Sequence, residues 1–442
     1  MHTNLEADYL IIGAGAMAMA FADEIFSRRK NARFVFVDRR AKPGGHWNDA
    51  YPFVTLHQPS AFYGVSSTKL GEGGGALSSR AEIVSYYENI MRRWEKSGRV
   101  IFLSKCEYRG DGKVVSLVEP GREWAVTVRE RVVDATYMNV EVPATHPPQF
   151  KVNAGVNLAP LNALADLKKP FERYCIIGGG KTAIDAVLFL LDTGVDPDRI
   201  SWIIPSDSWL WNRDMIIPGI VSKAVMELID SAVSASDVDQ IFLNMERNGS
   251  LFRLDENVLP DKWRCATVAS REMPLLRSVK DVIRKGRVKS ISKTRITLEK
   301  GSVKTNAKTL HVNCSANGLS RRAIAPLFEP GRITLQSVFF CQQVFSAAII
   351  AQMEMLKMSD EKRNAICDII PHPEHKLQWP ETLAHTVENL LNLNMHMPVW
   401  LRRTRLNFLA HESIPRYLKA AVHARLRLPA ARNMAQAMPA PD

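Results

Sequence analysis

Two stretches of this chain set glycines between a short apolar run and a helical apolar pattern, and no other feature limits the fold as tightly. The first reads Asp8-Tyr-Leu-Ile-Ile-Gly-Ala-Gly-Ala-Met-Ala. Residues 9–12 are too few for a helix and stop at glycine, so they read as a buried strand. Gly13, Gly15 and Ala18 follow in G-x-G-x-x-G/A spacing, and residues 17–26 carry a helical apolar period. In such a crossing the first glycine permits the tight turn and the second leaves the backbone open to a pyrophosphate. The small third residue lets helix and strand pack closely. The helix N-terminus then offers free N–H groups and a positive dipole end. The next apolar run, 33–37, ends in Asp38. That is about 20 residues on, where an acid accepts hydrogen bonds from a ribose 2′-OH. Strand, glycines, helix, strand and acid in that order predict a dinucleotide-binding unit.

The second stretch, Tyr174-Cys-Ile-Ile-Gly-Gly-Gly-Lys-Thr-Ala-Ile-Asp, repeats the spacing at Gly178, Gly180 and Ala183, with a helix continuing to Leu191. Gly180-Lys181-Thr182 also ends like a P-loop. That motif needs glycine five positions before Gly180, where Cys175 stands, so a Walker-type ATP site is rejected.

Further residues narrow the first site. Gly44-Gly45-His46-Trp47-Asn48-Asp49-Ala50-Tyr51-Pro52 is followed by Gln58-Pro59-Ser60-Ala61-Phe62-Tyr63. Here the chain resembles the flavin-containing monooxygenase and Baeyer–Villiger monooxygenase superfamily, whose members carry Gly-Gly-x-Trp, then Tyr-Pro, then Pro-Ser and an aromatic. The resemblance implies FAD in the first unit and a loop, 44–63, that runs past the flavin ring. It implies NADPH or NADH in the second unit as hydride donor. The expected FAD contacts are Gly13, Gly15, Ala18, Asp38, Arg39, Gly45, His46, Trp47 and Ser60. Gly178, Gly180, Lys181 and Thr182 are expected at the second nucleotide. The strand 199–204 ends in Pro205-Ser206-Asp207 with no acid for a free ribose, so Ser206 with Arg213 reads as a 2′-phosphate site, favouring NADP; a surface role for Arg213 is the alternative. His57, Gln58 and Asn48 are the catalytic candidates. An amide can hydrogen-bond a peroxide, and a histidine can exchange a proton near neutral pH, although a lone histidine is more often structural.

The chain also departs from the family. Tyr137 stands where members continue Ala-Thr with glycine, and the Gly-Asp that meets the ribityl chain is absent. Gln336, Gln342, Gln343 and Ser346 are polar substitutes for it, or ordinary helix surface. The segment 152–163 lacks the flanking Phe, His and aromatic of the family's monooxygenase fingerprint. The resemblance therefore covers the two-nucleotide scaffold over 8–350, most strongly 8–64, and does not by itself carry oxygenation.

The expected architecture is α/β, with two Rossmann-like domains and a helical extension. Residues 1–150 and 306–370 are assigned to a discontinuous FAD domain. An NAD(P) domain, 165–305, is inserted in it with a helical insertion at 217–248, and 371–442 forms the extension. A helix is expected over 76–93. An antiparallel meander is expected from the runs at 100–103, 114–118 and 124–128, then a separate strand at 132–136 and a linker at 143–148. Leu310-His-Val-Asn-Cys-Ser-Ala-Asn-Gly reads as the second return strand and its turn. The apolar stripe of the insertion reads as core, with Trp209, Trp211 and Trp263 as substrate-pocket lining the alternative.

A length of 442 residues allows two or three domains. The net charge of +12 favours anionic ligands, which two nucleotides supply. No nucleic-acid recognition motif appears, so that partner is not expected. Six scattered cysteines without C-x-x-C predict no disulfide framework, no structural zinc and a reducing compartment. They also exclude a C-x4-C redox dithiol. No metal-ligand spacing is seen. No secretory leader or membrane span is expected, and the location reads as cytoplasmic. In the tail, prolines 380, 398 and 415 read as helix breaks. Arg402, Arg403, Arg405, Arg416, Lys419, Arg425, Arg427 and Arg432 accompany a helix face of Leu418, Val422 and Leu426. That face reads as a cap on the core or as a peripheral contact with an anionic membrane.

Three functions remain open on sequence: a monooxygenase inserting one oxygen atom from O2 into a small metabolite, a flavin dehydrogenase or reductase without oxygen insertion, and a non-catalytic flavin-binding protein.

Overall fold

In the computed structural model, which describes residues 2–141, 145–315, 318–319 and 322–437, both crossings form. Strand β1 (His2–Ile12) leads through the glycines into helix α1 (Ala16–Arg28) and back along β2 (Phe34–Asp38). β1 and β2 are parallel, with Tyr9 opposite Phe34, and every residue of β2 is buried. Helix α2 (Arg80–Lys96) then carries the chain across to β3 (Val100–Ser104). It starts later than expected because Ser79 and Glu82 form a capping box: Ser79 Oγ accepts from Glu82 N, and the Glu82 carboxylate accepts from Ser79 N at 2.7 Å.

The crossover delivers β3 parallel to β2, so it belongs to the main sheet and not to the meander. The meander is instead β4 (Cys106–Gly110), β5 (Lys113–Ser116) and the first part of β6 (Glu123–Asp134). β6 is one strand where two were expected. Its start pairs with β5, and its whole length lies parallel to β1, which therefore begins at His2, earlier than Tyr9. The resulting eight-stranded sheet has the core order β6-β1-β2-β3 and is extended beyond β6 by Arg332–Thr334 and Phe328–Glu329.

The second crossing is Arg173–Ile177, Gly178 to Gly180, helix Lys181–Asp192 and strand Ile200–Ile203. Its parallel five-stranded sheet has the order Asp281–Ile283, Ile200–Ile203, Arg173–Ile177, Thr309–Asn313, Leu158–Pro160. Thr309–Asn313, placed with the first domain by the 306–370 assignment, thus pairs inside the second sheet. The return strand completes the ladder beside Arg173–Ile177 before the chain crosses back.

Helix Gln343–Glu354 packs on α1 and is buried on all sides from Val344 to Glu354, which removes the reading of ordinary helix surface there. Ser346 is fully buried, and its Oγ accepts from Val338 N at 3.1 Å. The insertion forms helices Val221–Val233 and Val238–Arg247. Its stripe is core: Trp209 and Trp263 pack with Phe242 and Trp379, and Trp211 packs against the same cluster.

Pro380, Pro398 and Pro415 each lie in the first turn of a helix, where a residue needs no N–H partner, and Pro398 also marks the break after Trp379–His396. The three helices are Trp379–His396, Pro398–Arg403 and Ile414–Ala437. The last helix rests on Val221–Val233 and Trp379–His396, burying Tyr417, Ala420, Ala424 and Ala431. Ile414, Leu418, Val422 and Leu426 face outward. Among the described residues no helix is long and apolar enough to cross a membrane. Residues 143–144 of the expected linker, and Ala316 and Asn317 of the expected return turn, lie outside the described residues.

Candidate functional site

The two crossings open onto one cavity of about 1920 Å³, whose wall includes Gly13, Gly15 and Asp38 of the first and Gly178, Gly180 and Thr182 of the second. A pocket for one drug-sized molecule occupies about 300–1,000 Å³, so this volume suits more than one such ligand. Neither α1 nor Lys181–Asp192 has a capping side chain or an acid in its first turn. The capping box of α2 shows that the chain caps helices elsewhere. Both uncapped N-termini therefore keep N–H groups for an anion in the cavity.

Local geometry explains the glycines. Gly13 has φ +94°, and a Cβ there would come within 3.2 Å of Thr136 Cγ2. Gly45, at φ +57°, lies so close to Gly15 that its Cβ would stand 3.0 Å from Gly15 Cα. The Gly44-Gly45 turn thus packs directly on the glycine turn before α1. Ala18 is fully buried at the helix–strand contact. Asp38 holds the cradle from below, one oxygen accepting from Ala14 N at 2.7 Å and the other from Arg40 N at 2.7 Å. Asp38 is buried and lines the cavity, and each of its oxygens has further capacity to accept a hydrogen bond.

Several expected contacts move. Arg39 points away and pairs with Glu107, while Arg40 lines the cavity and pairs with Asp49 at 2.6 Å. Ser60 is fully buried against Gly71, outside the cavity wall. Asn48 does not line the cavity either. Its amide donates to the carbonyls of Lys42, Pro43 and Gly45 at 3.3, 3.2 and 3.0 Å, so it braces the glycine turn and is not placed for catalysis. Gln336 reaches the wall, but its amide is bound both ways to the Ala325 backbone, donating at 2.6 Å.

His46, Trp47, His57 and Gln58 do line the cavity. Trp47 Nε1 donates to Tyr63 Oη at 2.8 Å, fixing an aromatic wall. Gln58 accepts from the Gln342 amide at 2.7 Å, and Thr267 donates to the His57 carbonyl. These bonds fasten the loop to both nucleotide units. Gln342 Oε1 is left buried without a partner. His57 is open to the cavity, yet protein surrounds that space. Desolvation, followed by Lys181 and Arg213, pushes its imidazole down to about 3. Burial and then Arg40 push His46 down to about 4. Both rings are neutral near pH 7, so the expected proton exchange near neutrality does not hold for them.

At the second cradle, Gly178 has φ +136°, and a Cβ there would lie 2.9 Å from the Cys314 carbonyl. Gly180 is extended, at φ −95° and ψ −175°, with nothing within 4 Å of an added Cβ. Lys181 pairs with Asp185, which also accepts from Tyr51 Oη. Arg213 is not available to a phosphate: it is buried, pairs with Glu272 at 2.5 Å and does not line the cavity. Ser206 does line it, with Arg287 and Lys289, exposed cations that sequence reading missed. The alternation of a β-strand would have paired them on one side of Val288.

One expectation fails outright. Cys265 and Cys341, 76 residues apart, are joined by a disulfide with their Cα atoms 6.8 Å apart. The inference of a reducing compartment from scattered cysteines loses its premise.

No family model matches the chain. Among solved structures, ε-caprolactone-bound cyclohexanone monooxygenase in its loose conformation has a TM-score of 0.55 at 11% identity, covering 99% of both chains. Polycyclic ketone monooxygenase from Thermothelomyces thermophila has a TM-score of 0.50 at 11% identity, covering 97% of this chain and 85% of that one. The fold is therefore the one these two monooxygenases share. By sequence, the chain is 39% identical over 441 residues to the uncharacterized protein Rv2000 of Mycobacterium tuberculosis, covering 96% of this chain and 81% of that protein. The uncharacterized proteins MT2056 of M. tuberculosis and Mb2023 of Mycobacterium bovis match equally. The chain belongs to the family of these mycobacterial proteins.

Proposed function

We propose that this protein is an NAD(P)H-dependent FAD oxidoreductase, and a monooxygenase acting on a small organic substrate. The observation that carries the reading is the pair of uncapped helix N-termini opening onto one cavity. FAD suits the first, where Gly13 and Gly15 leave the backbone bare and Asp38 offers a carboxylate to a ribose. NADPH or NADH fits the second, at Gly178, Gly180 and Thr182. Arg287 and Lys289 replace Arg213 as the cations for a 2′-phosphate, which favours NADPH. Bound together, the two cofactors supply hydride transfer and, with O2, insertion of one oxygen atom.

The chain's own residues orient and shield. Trp47 and Tyr63 keep one wall apolar and exclude water. Gln342 holds Gln58 by its amide nitrogen and presents an unpartnered carbonyl oxygen beside it. The neutral His57 ring can donate one hydrogen bond and accept another.

The purified protein is expected to be yellow and to bleach with NADPH under anaerobic conditions. Readmitted O2 should then add one oxygen atom to the product's mass. Oxygen consumption with peroxide release and no mass gain across a panel of small ketones, amines and sulfides would overturn the monooxygenase reading. A colourless protein that takes up no FAD would overturn all of it.

We also propose that the last helix rests on an anionic membrane surface. Ile414, Leu418, Val422 and Leu426 form an exposed stripe, Lys419 and Arg425 flank it, and the helix contains no acid.

A further inference from the structure

The nucleotide reading leaves the Cys265–Cys341 disulfide without a task, although it sits in the wall of the same cavity. Cys265 belongs to the strand Lys262–Val268 of the second unit, and Cys341 precedes the Gln343–Glu354 helix of the first. Each is tied to the loop expected beside the flavin. Thr267, two residues past Cys265, donates to the His57 carbonyl. Gln342, next to Cys341, donates to Gln58 at 2.7 Å. Both sulfurs belong to half-buried residues, whereas the other four cysteines are buried. The backbone is left-handed at Cys265, with φ +53°, and at Phe340 beside Cys341, with φ +37°. Such conformations concentrate at functional sites. A ring nitrogen of His372 lies within 4.8 Å of both sulfurs, and His372 also lines the cavity.

We propose that Cys265, Cys341 and His372 form a thiol–disulfide exchange site for a low-molecular-weight thiol that enters this cavity. The entering thiol, oriented by a hydrogen bond to the His372 ring, gives its proton to solvent, and its thiolate sulfur bonds to one cysteine sulfur. The S–S bond breaks, and the other cysteine leaves with the bonding pair as a thiolate that solvent protonates. A second thiol attacks the mixed disulfide. In sum, two thiols become one small disulfide, and the protein pair gains two electrons and two protons. In reverse, the reduced pair delivers them to a small disulfide. Burial, opposed by a hydrogen bond at Pro373 and reinforced by Arg264, holds His372 down at about 4, so its ring is neutral and can accept a hydrogen bond from the entering S–H. A disulfide serving only to tie the two units together requires neither an open approach nor a neighbouring acceptor.

The test uses the full-length native protein and millimolar glutathione as probe. The reaction is quenched with N-ethylmaleimide and read by peptide mass. Cys265 and Cys341 are expected to take the label within minutes while the other four cysteines stay unlabelled. His372→Leu should slow this about three- to tenfold at pH 7 and leave the rate in denaturant unchanged. In Cys341→Ser, oxidised glutathione should form a mixed disulfide on Cys265. A pair that opens only after the chain unfolds overturns the proposal, and so does a His372→Leu protein reacting at the wild-type rate. The readout is peptide mass and needs no bound nucleotide, so its failure leaves the flavoprotein reading standing.

Discussion

Gly178 and Gly180 belong to one motif but serve different ends, and alanine separates them. At Gly178 a Cβ meets the Cys314 carbonyl at 2.9 Å on a backbone with φ +136°. The left-handed backbone alone costs roughly 1–2 kcal/mol for a side chain, and the clash adds to it. At Gly180 the backbone is extended and nothing lies within 4 Å of the added carbon. Gly180→Ala is therefore expected to keep or raise stability, by about 0.4–1 kcal/mol from the unfolded chain's lost freedom. Its methyl enters the space the pyrophosphate needs. Displacing one charge-assisted hydrogen bond costs about 1.5–3 kcal/mol, a loss of roughly ten- to a hundredfold in nucleotide affinity. Denaturant melts give the stability, and anaerobic bleaching titrated with NADPH gives the affinity. The expected pattern is a Gly180→Ala protein that is stable, yellow and poorly reduced, beside a Gly178→Ala protein of lowered stability. Wild-type NADPH affinity in Gly180→Ala, or an equal loss of stability in both, would refute the assignment of the second cradle.

Four other outcomes follow from the same structure. His46 and His372 are held near 4 in the fold, against about 6.5 unfolded. Stability should be full above pH 6.5 and fall as pH drops towards 4, because the unfolded chain binds protons the fold refuses. The loss is about 1 kcal/mol per histidine from pH 6.5 to 5.5, and melts of a double glutamine variant should show a flatter profile. Arg405 donates to the carbonyls of Ala61, Tyr63, Val65 and Thr68. Arg405→Ala should cost about 3 kcal/mol in denaturant melts and loosen the loop beyond Gln58 in hydrogen exchange. Replacing Arg287 and Lys289 with alanine should raise the Kd for NADPH at least about tenfold and leave NADH nearly unchanged; equal losses would remove them from the 2′-phosphate. Leu418→Glu with Leu426→Glu should abolish flotation with vesicles containing phosphatidylserine, and equal recovery would dismiss the membrane contact.

The scaffold was legible because its signals are local. A four-residue apolar run, glycines at fixed spacing and a helical period lie within one short stretch, and the physics of the turn demands each of them. Elements that depend on distant partners were read less well. β3 looks like a meander strand until the crossover of α2 sets its direction, and the length of β6 follows from pairing with β1. Thr309–Asn313 was recognised as a return strand, but the sheet to which it returned was set by its neighbour Arg173–Ile177.

Site residues divide along the same line. Asp38 and Arg40 share a side of the chain and Arg39 the other, so continuing the period of two past β2 would have chosen Arg40. Asn48 offers an amide that could bond a peroxide, yet that amide is consumed by three carbonyls of its own turn, the local bonding that short polar side chains favour. Arg213 looked like a phosphate ligand until Glu272, 59 residues away, neutralised it. Cys265 and Cys341 carried no signal at all: no spacing rule links residues 76 apart, and only the folding of one unit against the other brings them together. Arg213 and Asn48 were lost to partners inside their own units, whereas the cysteine pair lies at the seam between the units, where each residue is ordinary in its own stretch and acquires a partner only when the other unit packs against it.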